Sequence, residues 1–203
     1  MKVSEQVNCK DYRCADVRHE CCLISGVELN PENVSIIMIS ESAPIDPKDY
    51  YYSDDDALFA KTTLQAFQDA GVDISSFQDV LDLGIYCTTA VKCSKTGYGI
   101  KTDTIKQCSF ILEKELTLFP NVIVYMLMGD VAIKAINDIA RRAGEKRVIP
   151  AGSTYKIRDQ EYRYRDIRTF PSYLQAGPSF FIERSKRKMI SEDIAAALEY
   201  IRR

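Results

Sequence analysis

The chain has 203 residues, of which 46% are hydrophobic and 28% charged, and its formal net charge is −2. These values are typical of one globular domain, and they exclude a disordered chain or a globally basic nucleic-acid binder, although a local basic groove stays compatible with them. No apolar run reaches the length of a membrane span and residues 1–20 contain no apolar signal segment, so we expect a cytoplasmic protein without a membrane partner.

The first part of the chain, residues 1–33, is polar and carries four of the seven cysteines. It shows no clear periodicity, and we expect it to pack on a single domain that comprises residues 1–203. An apolar run from Ile36 to Ile39 follows and predicts a buried strand over about residues 34–40. That strand is expected to end at Ser40 and Glu41, before a loop rich in proline and tyrosine.

Helices and strands alternate through the rest of the chain. Apolar residues at helical spacing predict helices over residues 54–71, 77–83, 102–119, 130–144 and 186–202. Runs of strand-forming residues predict strands over 85–91, 122–128, 148–152 and 167–170, the last ended by Pro171, with a hairpin formed by 154–158 and 161–165. This order predicts an α/β fold with a mostly parallel sheet that is covered on both faces.

Polar residues follow the carboxyl ends of the predicted parallel strands, where open α/β sheets bind their ligands. They are Glu41, Thr88–Thr89, Gly129–Asp130 and the segment from Phe170 to Ser172. Glu41 is the first candidate for chemistry, and the alternative is that its carboxylate only caps the turn. The glycine-rich phosphate loops and the serine nucleophile elbow are absent from the sequence, which disfavours nucleotide-triphosphate, dinucleotide and serine-hydrolase sites.

Several segments in this order resemble the uracil-DNA glycosylase superfamily, and most of all its iron–sulfur members. They are the strand that ends at Glu41 with Pro44, the run T-T-A-V-K-C from 88, C-S-F-I-L-E-K-E-L from 108, V-I-V-Y-M-L-M-G-D-V-A from 122 and T-F-P-S-Y-L from 169. The resemblance covers about residues 34–175 and implies a three-layer α/β/α sandwich with a short, mostly parallel central sheet. It also implies a protein of DNA repair that flips a nucleotide out of single-stranded or damaged DNA into a pocket at the strand ends.

The resemblance assigns roles to individual residues. Glu41 takes the position of the acid that acts on water, and Tyr51 or Tyr52 takes that of the aromatic residue that stacks on the base. The pocket around the base would include Ser42, Thr89, Phe170 and Ser172. Thr89 stands where the family has asparagine, and Phe170 stands where it has histidine. The chain therefore either excises another base, stabilises the leaving group by other residues, or binds nucleic acid without excision.

The cysteines fit the iron–sulfur branch. The resemblance implies that Cys93 and Cys108 hold a [4Fe–4S] cluster together with an N-terminal pair, for which Cys9 and Cys14 are the choice and Cys21 or Cys22 could replace Cys9. A structural zinc suits four thiolates equally, and unligated buried thiols are the third alternative. Cys87 lies inside a predicted strand and is expected in the core, whereas the single histidine, His19, is expected on the surface.

Basic residues group beside two of the loops at the predicted strand ends. Those expected to contact a nucleic-acid backbone are Lys92, Lys95, Arg184 and Lys186, and the alternative is that they are merely solvated. The leading hypothesis is thus a DNA-binding N-glycosylase, and the second is a binding module with a structural metal centre. A third, more distant hypothesis is a hydrolase of nucleotides or small molecules. The oligomeric state stays open.

Overall fold

The computed structural model describes residues 1–10, 14–54 and 56–202. In this part of the chain six strands form one sheet: β1 (Val17–Cys22), β2 (Ile36–Ala43), β3 (Ile85–Lys95), β4 (Val124–Met128), β5 (Tyr162–Tyr164) and β6 (Ile167–Ser172). The α-helices are α1 (Val3–Gln6), α2 (Leu58–Asp69), α3 (Phe77–Asp82), α4 (Thr102–Leu116), α5 (Asp130–Arg142), α6 (Thr154–Ile157), α7 (Ser179–Ile182) and α8 (Arg184–Ile201).

The sheet is mostly parallel, with the strand order β1-β3-β2-β4-β6-β5. Strands β3, β2, β4 and β6 run parallel, and the two edge strands β1 and β5 pair antiparallel with their neighbours. The carboxyl ends of the four parallel strands therefore lie at one edge of the sheet, which we call the carboxyl edge. Glu41 lies near this edge, on a strand with neighbours on both sides.

Helices cover both faces of the sheet, so the predicted α/β/α layering is confirmed. Ile37 and Ile39 of β2 pack with α4 and α5 on one face, whereas Ile36 and Met38 pack with α2 and α8 on the other. Because both sides of the strand are buried, its sequence is a continuous apolar run instead of an alternating one. None of the described helices combines the length and the apolar character that a bilayer span requires.

The N-terminal part contributes to the same sheet. Strand β1 pairs with the end of β3, which places Cys22 opposite Cys93. Asp16 accepts a hydrogen bond of 2.6 Å from the backbone N–H of Lys101 and a second one from the Thr104 hydroxyl. These contacts attach the cysteine-bearing segment to the first turn of α4. The sequence did not predict this attachment.

Several predicted boundaries are corrected by the structure. Strand β2 continues through Glu41 to Ala43, β3 continues to Lys95, and β6 passes through Pro171 to Ser172. Helix α2 begins at Leu58, and the predicted acidic start of this helix includes Asp55, which lies outside the described residues. These strands extend further because neighbouring strands supply hydrogen-bond partners, which local turn signals do not reveal.

The predicted hairpin of residues 154–158 and 161–165 is wrong. The first of these segments contains α6, and the second contributes β5, which pairs with β6. The tight connection is the pair Arg165–Asp166, with Arg165 at a positive φ of 53°. Residues 148–152, predicted as a short strand and turn, form bends and contain no strand. Asp159 therefore lies in the loop between α6 and β5. The hairpin turn is the Arg165–Asp166 connection between β5 and β6.

Candidate functional site

Glu41 is half-buried near the carboxyl edge and contacts the connection between β4 and α5. Ile39 of β2 pairs with Leu127 of β4, so Glu41, two residues further along, lies level with Gly129. Its Oε1 atom lies 3.4 Å from the backbone nitrogen of Val131 in the first turn of α5 and accepts a long hydrogen bond from it. The carboxylate thus faces the positive end of a 13-residue helix.

Gly129 makes this close approach possible. Its φ of 103° and ψ of 169° fall in a region that is essentially restricted to glycine. A β-carbon at this position would lie 2.6 Å from Oε1 of Glu41, which is closer than real atoms approach. The carboxylate is therefore seated directly on the backbone of the turn. The sequence marked Gly129 only as a turn residue, and nothing in it indicated contact with Glu41.

The contact with α5 gives Glu41 a structural role, while its chemical role remains a prediction. The residue before α5 is Gly129, which has no side chain to cap the helix, so Glu41 takes this role from a distant strand. The alternative role of Glu41, capping a turn, agrees with this hydrogen bond to the start of α5. A carboxylate held by a helix start is also a fixed acceptor for a proton, and the two roles are compatible.

A buried network of neutral polar groups lies on the opposite face of the sheet. The hydroxyls of Ser40 and Tyr51 are hydrogen-bonded to each other, and the Ser40 hydroxyl donates to Oε1 of Gln175 over 3.2 Å. The Gln175 amide nitrogen lies 3.2 Å from the Tyr51 hydroxyl and 3.4 Å from that of Thr63. All four side chains are essentially inaccessible to solvent. Gln175 was not predicted as part of the site, because no local feature of the sequence marks it.

The side chains of Tyr51 and Tyr52 both pack in the interior of the protein. The Tyr51 ring is 1% exposed and packs with Phe77 at a centroid distance of 5.7 Å. The Tyr52 hydroxyl bonds the backbone of Cys87, with distances of 2.8 Å to the nitrogen and 2.9 Å to the oxygen. Stacking of either ring on a base remains a prediction, and for Tyr51 it would require the ring to leave its place.

Thr89 and Ser42 lie beside this network along the two central strands. Thr89 pairs with Ser40 across β2 and β3, and Ser42 pairs with Val91. Thr89 is fully buried, and its hydroxyl has no hydrogen-bond partner among the described residues. Ser42 is half-buried. The structure therefore brings Glu41, Ser42, Thr89 and Tyr51 to the same part of the sheet, although on two faces.

Phe170 and Ser172 do not join these residues, because β4 separates their strand from β2. Phe170 lies in β6, as predicted, and Ser172 also lies within β6 and not in the loop that was predicted to follow it. The Phe170 ring packs below the Arg168 guanidinium at 4.2 Å. The Ser172 hydroxyl donates to the Asp193 carboxylate of α8. Both side chains thus make contacts in the layer between the sheet and α8, and their place in a base pocket remains a prediction.

Lys92 is not available for the predicted contact with a nucleic-acid backbone. Its side chain is fully buried and forms an ion pair with Glu115 of α4, which is also fully buried. The Lys92 ammonium further donates to the Thr88 hydroxyl over 2.7 Å and to the Thr89 carbonyl over 2.6 Å. Glu115 also accepts from the Tyr86 hydroxyl over 2.8 Å. The position after a strand suggested a loop, but β3 continues past it.

The other predicted basic residues reach the surface. Lys95 is half-buried at the end of β3, and its ammonium donates to the Tyr98 carbonyl over 3.0 Å. Arg184 is exposed at the start of α8, and Lys186 pairs with Glu183 at 2.7 Å. Both groups follow carboxyl ends of parallel strands. Contact with a nucleic acid remains a prediction for these three residues.

A cavity of about 610 Å³ lies between the N-terminal segment, the end of β3 and α4. The cysteines that line it among the described residues are Cys9, Cys14, Cys22, Cys93 and Cys108. The four predicted ligands are thus brought to one cavity, and Cys22 joins them through its pairing with Cys93. His19 also lines the cavity and is only half-buried. Cys87 is buried in β3, as predicted. The side chain of Cys21 lies outside the described part.

The thiols of the cavity differ in acidity. A hydrogen bond with the Cys93 thiol lowers the pKa of Cys22 to about 7, and the Lys92 ammonium also lowers it while burial opposes both. The same hydrogen bond and burial raise the pKa of Cys93. Burial raises the pKa of Cys108 to about 12. Cys22 is therefore the thiol that ionises most readily of these three.

The cavity walls do not bring three ligands together around a single point. In residues 1–10, 14–54 and 56–202 no group of three or more His, Cys, Asp or Glu side chains is arranged to hold a metal ion. The observation that supports a metal centre is the presence of several cysteine thiols in the lining of one cavity. The iron–sulfur centre and the alternative zinc both remain predictions.

Comparison with known proteins gives a distant structural similarity and no match in sequence. No protein-family model matches the chain, and no curated protein matches it. Among solved structures, the wild-type UNG of Nitratifractor salsuginis is similar, with 11% sequence identity and a TM-score of 0.38. The similarity covers 81% of this chain and 74% of that one. A similarity this distant assigns no activity to the chain.

Proposed function

We propose that this protein is a DNA-binding protein of the uracil-DNA glycosylase type that hydrolyses the N-glycosidic bond of a flipped, damaged base in single-stranded or damaged DNA. The observation that carries the proposal is Glu41, seated on Gly129 and facing the first turn of α5. It occupies the position of the family's acid, at the sheet edge where α/β proteins bind ligands.

The chemistry that Glu41 would perform is simple. Its carboxylate accepts a proton from water while the water oxygen bonds to C1′ of the sugar. The bond from C1′ to the base nitrogen breaks, its electron pair leaves with the base, and the base nitrogen takes up a proton from solvent. The negative charge of the carboxylate also stabilises the positive charge that develops on the sugar in the transition state. Because α5 fixes the carboxylate, its orientation does not have to be set during the reaction.

The base is expected to differ from uracil. Thr89 cannot offer the paired donor and acceptor of an amide, and the phenyl ring of Phe170 cannot donate a hydrogen bond to a leaving base. Ser172 is not a substitute donor in this structure, because its hydroxyl is bonded to Asp193. A base that leaves easily without such help is the better candidate.

The second candidate is a nucleic-acid-binding module that performs no excision. It is favoured by the burial of Thr89 and Ser172, both 0% exposed, at positions where the family contacts the base. In this case Glu41 serves only to cap α5. The third hypothesis, a hydrolase of free nucleotides, would release phosphate, which the first two exclude.

The metal centre belongs to the same proposal. The donors are thiols that line one cavity, and this chemistry suits a [4Fe–4S] cluster or a structural zinc. Cys9, Cys14, Cys93 and Cys108 would hold it, with Cys22 available to replace Cys9. A bound centre would cross-link the N-terminal segment to β3 and α4. The proposed hydrolysis does not pass through it.

A glycosylase assay tests the catalytic proposal. Oligonucleotides that each contain one damaged base, uracil among them, are incubated with protein purified without air, and abasic sites are cleaved by alkali. Wild-type protein should release the base from at least one substrate. Glu41→Gln should reduce the rate of base release by about 100-fold or more. Asp130→Asn is the matched control, since Asp130 is an exposed acid at the same edge that pairs with Lys134.

The outcomes separate the candidates. Binding of DNA that is equal in wild type and Glu41→Gln, with no cleavage of any substrate, would favour the module without excision. Cleavage that survives Glu41→Gln would remove Glu41 from the mechanism.

The metal is tested by anaerobic purification. Iron and sulfide in equal amounts with a visible absorption band would support the cluster, and loss of this band in Cys108→Ser should exceed that in Cys87→Ser, a buried thiol outside the cavity. Colourless protein with one zinc per chain would support zinc. Protein that contains neither metal would contradict both.

A further inference from the structure

Half of the large exposed apolar side chains follow strands that end at the carboxyl edge. The large hydrophobic side chains that are exposed in the described residues are Ile45, Leu83, Tyr98, Phe110, Ile123, Tyr155, Phe181 and Ile182. Ile45 follows β2, Tyr98 follows β3, and Phe181 and Ile182 follow β6. Half of the set therefore lies beyond carboxyl ends of parallel strands, on the side of Glu41. Exposed apolar side chains beyond the strand ends can contribute to an interaction surface, and the aromatic ones can stack on a base.

Tyr98 is the most exposed member of this set. Its relative exposure is 102%, and it lies between Gly97 and Gly99, where an added β-carbon would meet nothing within 4 Å. The Lys95 ammonium lies 5.9 Å from the centre of its ring. The loop after β3 thus presents an open aromatic face next to a positive charge.

The segment after β6 repeats this combination. The Lys186 ammonium lies 5.5 Å from the centre of the Tyr173 ring. Tyr173 is half-buried and packs on the hydrophobic layer of α2 and α8, so the position of its ring is fixed. Arg184 is exposed nearby in the chain and adds a second positive charge. We refer to Lys95 with Tyr98 and Lys186 with Tyr173 as the two Lys–Tyr pairs.

The two Lys–Tyr pairs lie on either side of Glu41. Strands β2 and β4 lie between β3 and β6, so the pairs follow strands that are three positions apart. At a strand spacing of about 4.8 Å, this separation is about 14 Å at the sheet. A short stretch of nucleic acid can extend over such a distance. Glu41, on β2, lies between the two ends.

We propose that the two Lys–Tyr pairs hold a single strand of DNA across the carboxyl edge, with bases stacked on Tyr98 and Tyr173 and phosphates contacted by Lys95 and Lys186. The proposal rests on the DNA-binding function proposed above. Aromatic rings accept any base on their faces, so this site selects for an unpaired strand and not for a sequence.

The charge of the protein supports a single strand over a duplex. The net charge is −2, and Glu183 already pairs with Lys186, so attraction to phosphates alone is weak. Stacking has to contribute much of the binding free energy. A duplex hides the faces of its bases, whereas an unpaired strand offers them.

Tryptophan fluorescence tests this arrangement directly, because the chain contains no tryptophan. Tyr98→Trp and Tyr173→Trp each introduce one reporter, and Ile123→Trp is the control at the opposite edge, directly before β4. A single-stranded oligothymidylate is added at low salt. We expect quenching of the reporters at 98 and 173 with the same midpoint, and no quenching of the reporter at 123.

Affinity measured by anisotropy of a labelled strand completes the test. Tyr98→Ala should weaken binding about tenfold or more, and Tyr98→Phe should bind as the wild type does. Tyr98 is fully exposed, so these variants should fold. A strand that binds wild type and Tyr98→Ala equally, without quenching at 98, would overturn this proposal and leave the DNA-binding function standing. If no strand binds at low salt, both are overturned.

Discussion

Two fully buried polar clusters, one on each face of the sheet, are built in different ways. On the face of α4 and α5, Lys92 and Glu115 form a charged pair without solvent contact. On the face of α2 and α8, Ser40, Tyr51 and Gln175 form a neutral network that is equally buried. Both sets of groups are hydrogen-bonded, but they respond differently to the loss of one partner. A neutral group left alone loses a hydrogen bond, whereas a charge left alone remains in a medium that stabilises it poorly.

The largest effect is expected from Lys92→Met, because it leaves the Glu115 carboxylate buried without its cation. The free energy of unfolding should fall by about 3–5 kcal/mol in urea denaturation. The double variant Lys92→Met/Glu115→Leu removes both charges and should recover most of this loss. Lys134→Met is the control, since Lys134 pairs with Asp130 in solvent and its loss should change stability by at most about 1 kcal/mol.

If Lys92→Met were no more harmful than Lys134→Met, the distinction between the two faces would fail. A double variant as unstable as the single one would show that packing, and not the unpaired charge, dominates at this position.

Gly129→Ala tests the contact between Glu41 and the start of α5, which lies on the same face as Lys92 and Glu115. The backbone strain alone should reduce stability by about 1–3 kcal/mol, and the contact of the new β-carbon with Glu41 adds to this loss. Gly144→Ala is the matched control, because its φ is also positive, at 75°, but nothing lies within 4 Å of the added carbon. The difference between the two variants contains the stricter backbone of Gly129 and the Glu41 contact, and Glu41→Ala should reduce that difference by the part that the contact contributes. Equal losses in all backgrounds would argue against the close approach.

Gln175→Met tests the neutral network with little change in volume. Ser40 and Tyr51 keep each other as partners, so we expect a loss of only about 1–2 kcal/mol in the same urea measurement. Gln78→Met, on the exposed side of α3, should change stability by at most about 0.5 kcal/mol. A loss as large as that of Lys92→Met would contradict the ranking of the two faces.

The smallest effect concerns Asp193 of α8, which lies on the face of the neutral network and forms a mostly buried ion pair with Arg158 at 2.7 Å. Burial raises its pKa to about 6, although hydrogen bonds from Ser172 and Arg158 oppose this. The folded state therefore binds a proton more readily than the unfolded state, and this group adds stability as the pH falls through 6. Between pH 7 and pH 5 the wild type should gain about 1 kcal/mol relative to Asp193→Asn.

Chemical denaturation at both pH values measures this difference. Asp159→Asn is the control, because Asp159 also contacts Arg158 but is 74% exposed. The control should follow the pH dependence of the wild type. A parallel response of wild type and Asp193→Asn would show that Asp193 does not titrate in this interval.

Much of the fold could be predicted from the sequence because its signals are local and strong. The run from Ile36 to Ile39 identified a strand buried on both faces, and the helical stripe of α5 marked a surface helix. Strand ends were less predictable, since β2, β3 and β6 are extended by pairing with neighbours. The hairpin error at Thr154–Ile157 arose from an alternation that tertiary contacts overrode.

The candidate site was predicted as a set of positions, and its arrangement depended on tertiary structure. By itself the sequence determined the alternation of strands and helices, the carboxylate at Glu41 and the supply of thiols, because composition and periodicity are local properties. Only the tertiary structure decided that Glu41 lies on Gly129, that Lys92 is buried with Glu115, and that Cys22 faces Cys93. These contacts join residues that are distant in the chain, and strand order and register bring them together.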